Sequence, residues 1–120
     1  VRITGLEGSE YIDKVDGSRR KRQSTEAIRF DSERDQVHVN TRSTCTIHDV
    51  AWKRRIVVEK TGSESTVVWN PWVEKTAALP DMEPDGWQDM VCVESANVGE
   101  NAVTLAPGQT QTMSVKITVE

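Results

Sequence analysis

Among the residues that could do chemistry, one carboxylate stands out. In MVCVESAN, Met90 to Asn97, four apolar residues run without a break and then meet Glu94. Side chains alternate along a strand, so Met90, Cys92, Glu94 and Ala96 share one face and Val91, Val93, Ser95 and Asn97 the other. A carboxylate desolvated among apolar neighbours must find donors, meet a cation or take up a proton. A general acid or base working near neutral pH uses that upward shift. The plainer reading is that Glu94 marks where the strand leaves the core, with Ser95 and Asn97 already in water, and periodicity alone favours it.

The other candidates are fewer. His38 shares its strand face with Gln36 and Asn40, and His48 with Thr44 and Thr46, so both are expected on polar faces. Two histidines without cysteine partners or an HExxH spacing make a poor metal site, and neither a phosphate-cradling glycine loop nor a GxSxG elbow occurs. No metal or cofactor is expected. Cys45 and Cys92 lie outside any CxxC or Cys/His cluster and read as buried thiols in a reducing setting. Trp69, Trp72 and Trp87 bracket a segment, residues 71–88, that is rich in proline and acids. Flat rings that cover apolar sugar faces, beside carboxylates and amides, suit a carbohydrate; large core side chains are the alternative.

These residues need a scaffold, and its periodicity is β. The clearest alternation runs over 109–119, with Gln111, Met113, Val115, Ile117 and Val119 on one face, and predicts a half-buried strand. Shorter strands are expected over 1–4, 27–30, 36–40, 44–48, 53–59, 66–69, 90–96 and 102–105. Turn residues such as Thr61-Gly62-Ser63 and Ala106-Pro107-Gly108 separate several of them. A short helical turn is expected near 73–79. Many short strands at close spacing predict a mainly β chain, an antiparallel β-sandwich, in one domain over 1–120 with a modest core. The net charge of −4 argues against nucleic acid as a partner, and no apolar run reaches membrane-spanning length. Arg19-Arg20-Lys21-Arg22 is the main exception to that acidic balance. It follows a turn and reads as a solvated loop, with anion binding as the sharper alternative.

VVWNPW (Val67 to Trp72) with Lys75 after it, LPDM (Leu79 to Met82) and MVCVESAN resemble, in order and spacing, the C-terminal half of the glucose-6-phosphate 1-epimerases of the galactose-mutarotase-like superfamily. Gly5-Leu6, Tyr11-Ile12-Asp13-Lys14 and Glu33 to Val37 extend the likeness over essentially the whole chain. The resemblance implies part of a two-sheet β supersandwich, a cytoplasmic isomerase, and a hexose 6-phosphate substrate whose α and β anomers are exchanged. It implies that Glu94 is the catalytic base and that Asp35, Trp69 and Asn70 bind substrate. Asp35 is followed by Gln36, Val37 and His38 where the family has Arg and then Val-Tyr, a departure at that position. It further implies that the proton-donating histidine and the phosphate-holding arginines belong to an N-terminal half. That half would be the partner this chain needs for activity. A non-catalytic carbohydrate-binding module is the alternative, and a structural β domain pairing through its sheet edges a third.

Overall fold

Short runs of β-branched and alternating residues, each cut by a turn, become ten strands in the computed structural model, which describes residues 1–120. They are β1 (Arg2–Thr4), β2 (Glu10–Asp13), β3 (Arg19–Arg22), β4 (Ile28–Arg29), β5 (Arg34–His38), β6 (Cys45–Asp49), β7 (Arg54–Thr61), β8 (Ser65–Asn70), β9 (Cys92–Ala96) and β10 (Ser114–Val119). A six-residue helix, α1 (Trp72–Ala77), follows β8, and 3-10 turns lie at Gly86–Asp89 and Gly99–Asn101. The strands form two antiparallel sheets of five, ordered β10-β7-β6-β1-β4 and β3-β2-β5-β8-β9. The chain is therefore mainly β and antiparallel, as its periodicity predicts. Gly5 shows how tightly the first sheet is closed: at φ +104°, an added Cβ would lie 2.1 Å from the Thr44 carbonyl oxygen.

The apolar core is small and belongs mostly to the first sheet. Ile3, Leu6, Ile28, Cys45, Ile47 and Val58 meet Val68 of the second sheet, with Phe30, Ile56, Val91 and Val93 packed around them. Apart from Val68 and Val93, the inward face of the second sheet is largely polar. Gln36, His38, Thr66 and Asn70 are all buried there. His38 is thus on a polar face, as expected, but one that is buried: it is 0% exposed. Ser9 Oγ donates to the Leu6 carbonyl at 2.6 Å, so its contact with His38 Nδ1 at 2.8 Å makes the imidazole the donor. Burial, with Lys60 nearby, lowers the His38 pKa to about 4. Lys60 reaches across from β7 and donates to the Ser65 carbonyl at 2.7 Å and to Thr66 Oγ1 at 2.8 Å. This layer is sustained by partners that other strands and loops bring in, Lys60 from β7 and Ser9 from before β2, which is why alternation along one strand misjudges its burial.

Other expectations are also revised. Residues 19–22 are not a loop but the edge strand β3, held by charge: Arg20 pairs with Glu10 at 2.9 Å and Glu100 at 2.6 Å, and Lys21 with Asp13 at 2.7 Å. With its cations paired to acids, the basic run is not an open anion site. Residues 102–105 form no strand, since no neighbouring strand pairs with them, and Val103 and Leu105 are exposed. The long alternating segment contracts to β10, and it is not half-buried. Val115, Ile117 and Val119 are in register with the inward residues Lys60, Val58 and Ile56 of β7. They are nonetheless 45%, 66% and 63% exposed, because β10 is the free edge of its sheet and no strand of the second sheet covers it. The chain exposes 7657 Å² where a self-contained monomer of 13.4 kDa would expose about 6,500 Å². One side of the sandwich is open.

Candidate functional site

The register of the second sheet places side chains in rows. Asp35 lies opposite Trp69, and Trp69 opposite Cys92. In the next row on the same face, Ile12, Val37, Val67 and Glu94 follow one another from β2 to β9. Inward-facing Val68 and Val93 pack into the core. These rows therefore lie on the outer face, away from the first sheet. Asp35 and Glu94 are two strands and one same-face step apart, about 12 Å between backbones at ordinary strand spacings. Val37 and Val67 form the floor between them, and Trp69 borders it. A flat apolar floor with a tryptophan beside it and carboxylates on two sides matches the surface of a sugar ring.

Glu94 does not sit in an apolar enclosure. It is exposed, while Val93 and Ser95 on either side of it are half-buried. The face shared by Cys92, Glu94 and Ala96 is thus the open one, and the dry side of β9 is the Val91 and Val93 side. Cys92 is half-buried beside Trp69, not a core thiol, whereas Cys45 is in the core and burial pushes its thiol up to about 11. The loop after β9 folds over the far end of this face. Val98, Gly99 and Glu100 enclose with Ile12, Lys14 and Val37 a depression of about 260 Å³. Asn101 fixes that loop by donating to Asn40 Oδ1 at 2.8 Å.

Asn70 stands apart from the other three candidates. It is buried on the inward face, and its amide is committed to the 71–90 segment: Nδ2 donates to the carbonyls of Trp87 at 2.9 Å and Met90 at 2.8 Å, and Oδ1 accepts from the Trp72 N–H at 2.9 Å. The tryptophans also separate. Trp72 and Trp87 stack on each other, with ring centroids 4.3 Å apart, and line a recess with Phe30 and Asn70. Only Trp69 lies on the Glu94 face. A cavity of about 760 Å³ is elsewhere, at the mouth between the sheets, where Ile47, Ile56 and Val91 line it. Asp49, Arg54, Gln88 and Asp89 also line it, and none of Glu94, Asp35 and Trp69 does. Neither histidine reaches Glu94: His38 is on the inward face, and His48 is on the first sheet, 2.9 Å from Thr4 Oγ1.

The pattern of the aldose 1-epimerases matches residues 1–118. The chain belongs to the aldose 1-epimerase family. A protein of Cenchrus ciliaris named "putative glucose-6-phosphate 1-epimerase" is 39% identical over 109 residues, covering 91% of this chain and 33% of that protein. A protein of the same name from Escherichia coli (strain K12) is 32% identical over 100 residues, covering 83% of this chain and 34% of that protein. Among solved structures, a "putative mutarotase" from Salmonella typhimurium superposes with a TM-score of 0.73 at 31% identity, covering 78% of this chain and 32% of that one. The chain spans about a third of the length of these relatives. That is less than the half its motifs suggest. An epimerase-family sheet that is open along β10 is what a third of a larger sandwich would present.

Proposed function

We propose that this chain supplies the base side of an anomer exchange on hexose 6-phosphates. Glu94 takes the proton from the anomeric hydroxyl, a donor outside this chain protonates the ring oxygen, and the C1–O5 bond opens. The free aldehyde turns about its C1–C2 bond and recloses from the other face, with both protons returned. Asp35 accepts from sugar hydroxyls and Trp69 covers an apolar face of the ring. The observation that carries this reading is that Glu94, Asp35 and Trp69 share one open sheet face in a chain of the aldose 1-epimerase family. Asn70 serves the same face indirectly, by fixing the segment that follows Trp69.

The partner is the remainder of the sandwich, the part the relatives carry and this chain does not. It would cover Val115, Ile117 and Val119 and bring the proton donor over the Glu94 face. A positioned donor contributes on the order of 10²–10⁴-fold, so the 120-residue chain alone should bind sugar more readily than it turns it over. The second reading, a carbohydrate-binding module, draws on the same fact that no histidine of this chain reaches Glu94. The two are separated by joining the chain to the part of an aldose 1-epimerase relative that it does not cover and following glucose 6-phosphate. Trp69→Ala should weaken binding, whereas Glu94→Gln should stop exchange and leave binding within a few-fold. Binding without any accelerated exchange in the joined protein would establish the module and refute the enzyme.

A further inference from the structure

The chain has two concentrations of positive charge, and they are built differently. On β3 the cations are answered across the sheet by acids: Arg20 and Arg22 by Glu10, Lys21 by Asp13. On the outer face of the first sheet, register sets Arg29 opposite Arg2, Arg2 opposite His48 and His48 opposite Arg55. Like charges placed directly across strands are unfavourable, and a chain of net charge −4 has acids to spare. Yet Arg2, Arg29 and Lys53 take part in none of the ion pairs. Arg55 pairs with Glu120 at 2.7 Å, but both side chains are about half-exposed, so that pair is weakly held and exchangeable. Arg2, His48, Lys53, Arg54 and Arg55 line a depression of about 440 Å³, together with the two acids Asp49 and Glu120, which Arg54 and Arg55 already hold.

We infer that this depression binds a phosphate-type oxyanion. Neighbouring strands are about 4.8 Å apart, which sets Arg2 and Arg55 on opposite sides of His48 at a distance where two guanidinium groups can converge on one tetrahedral anion. Lys53, at the β6–β7 turn with φ +51°, adds charge at the rim. The site is on the opposite sheet from Glu94 and does not depend on the catalytic reading. Inorganic phosphate is titrated into the 120-residue chain at fixed ionic strength, with arginine Nε–H and histidine ring signals followed by NMR. Saturable shifts at Arg2, His48 and Arg55, weakened about five-fold or more by Arg2→Gln or Arg55→Gln and unchanged by Arg20→Gln, are expected for charge-assisted contacts. Shifts that do not saturate, that fall equally on Arg19 to Arg22, or that survive Arg2→Gln would overturn the site. A glucose 6-phosphate arm on the Trp69→Ala variant tells the sources apart. Shifts at the same three residues mean that the phosphate group is read on any carrier, and their restriction to inorganic phosphate means that the free ion is the ligand.

Discussion

One row of inward-facing residues crosses the whole first sheet: Val119, Ile56, Ile47, Ile3 and Ile28, in register from β10 to β4. Its two ends differ completely. Ile28 and Ile3 are 2% and 0% exposed, and Val119 is 63% exposed. The residue types and the alternation are the same, so neither decides burial. Alternation fixes which way a side chain points, and the opposite layer decides whether it is dry. The closed end is a core, and the open end is uncovered, the surface that the proposed remainder of a sandwich would cover.

That contrast can be broken by mutation. Ile3→Ala, at the closed end, should cost about 2–5 kcal/mol, the usual range for emptying a buried aliphatic site. Ile117→Ala, at the open end, should change the stability of this chain by less than about 0.5 kcal/mol, as exposed substitutions do. Urea midpoints measure both, and equal losses would mean that the two ends are equally covered. Once the chain is joined to the rest of the sandwich, the Ile117→Ala loss should grow toward the Ile3 value.

The polar layer between the sheets gives the next effect. His38 remains neutral down to about pH 4 in the folded chain, whereas the unfolded chain protonates it near 6.5. Between these values the unfolded state binds the extra proton, so stability falls as pH drops from about 6.5 to 4, by roughly 3 kcal/mol in all. His38→Gln should flatten the slope of stability against pH by up to about 1.4 kcal/mol per pH unit in that window. An unchanged slope would place the titration elsewhere. The smallest effect belongs to the exposed β3 network. Arg20→Gln removes pairs with Glu10 and Glu100 but should move the urea midpoint least of all these variants, and less still in high salt.

Much of the scaffold is legible in the sequence for a physical reason. β6, β7 and β8 combine β-branched alternation with clear turns, and the structure moves their boundaries by no more than two residues. β2 and β3 are not legible that way, because their pairing rests on charges at Glu10, Asp13, Lys21 and Arg22 that only register brings together. The site divides similarly. Periodicity correctly puts Cys92 and Glu94 on one face of β9, and the motifs single out Asp35 and Trp69, which register then places on that same face. It cannot reveal that this face is the open one, since the covering layer is a property of the other sheet. Nor can it reveal that Asn70 is spent on bracing the Trp87 and Met90 carbonyls, a contact 17 and 20 residues away.

The central claim is that Glu94 is the base for anomer exchange and that the acid comes from outside this chain. Magnetisation-transfer NMR on the two anomers of glucose 6-phosphate, with the joined protein and its Glu94→Gln variant, tests it most directly. The account predicts rapid exchange that the substitution slows by on the order of 10²–10⁴-fold, with sugar still bound. Exchange in the variant within a few-fold of the unsubstituted protein would contradict it.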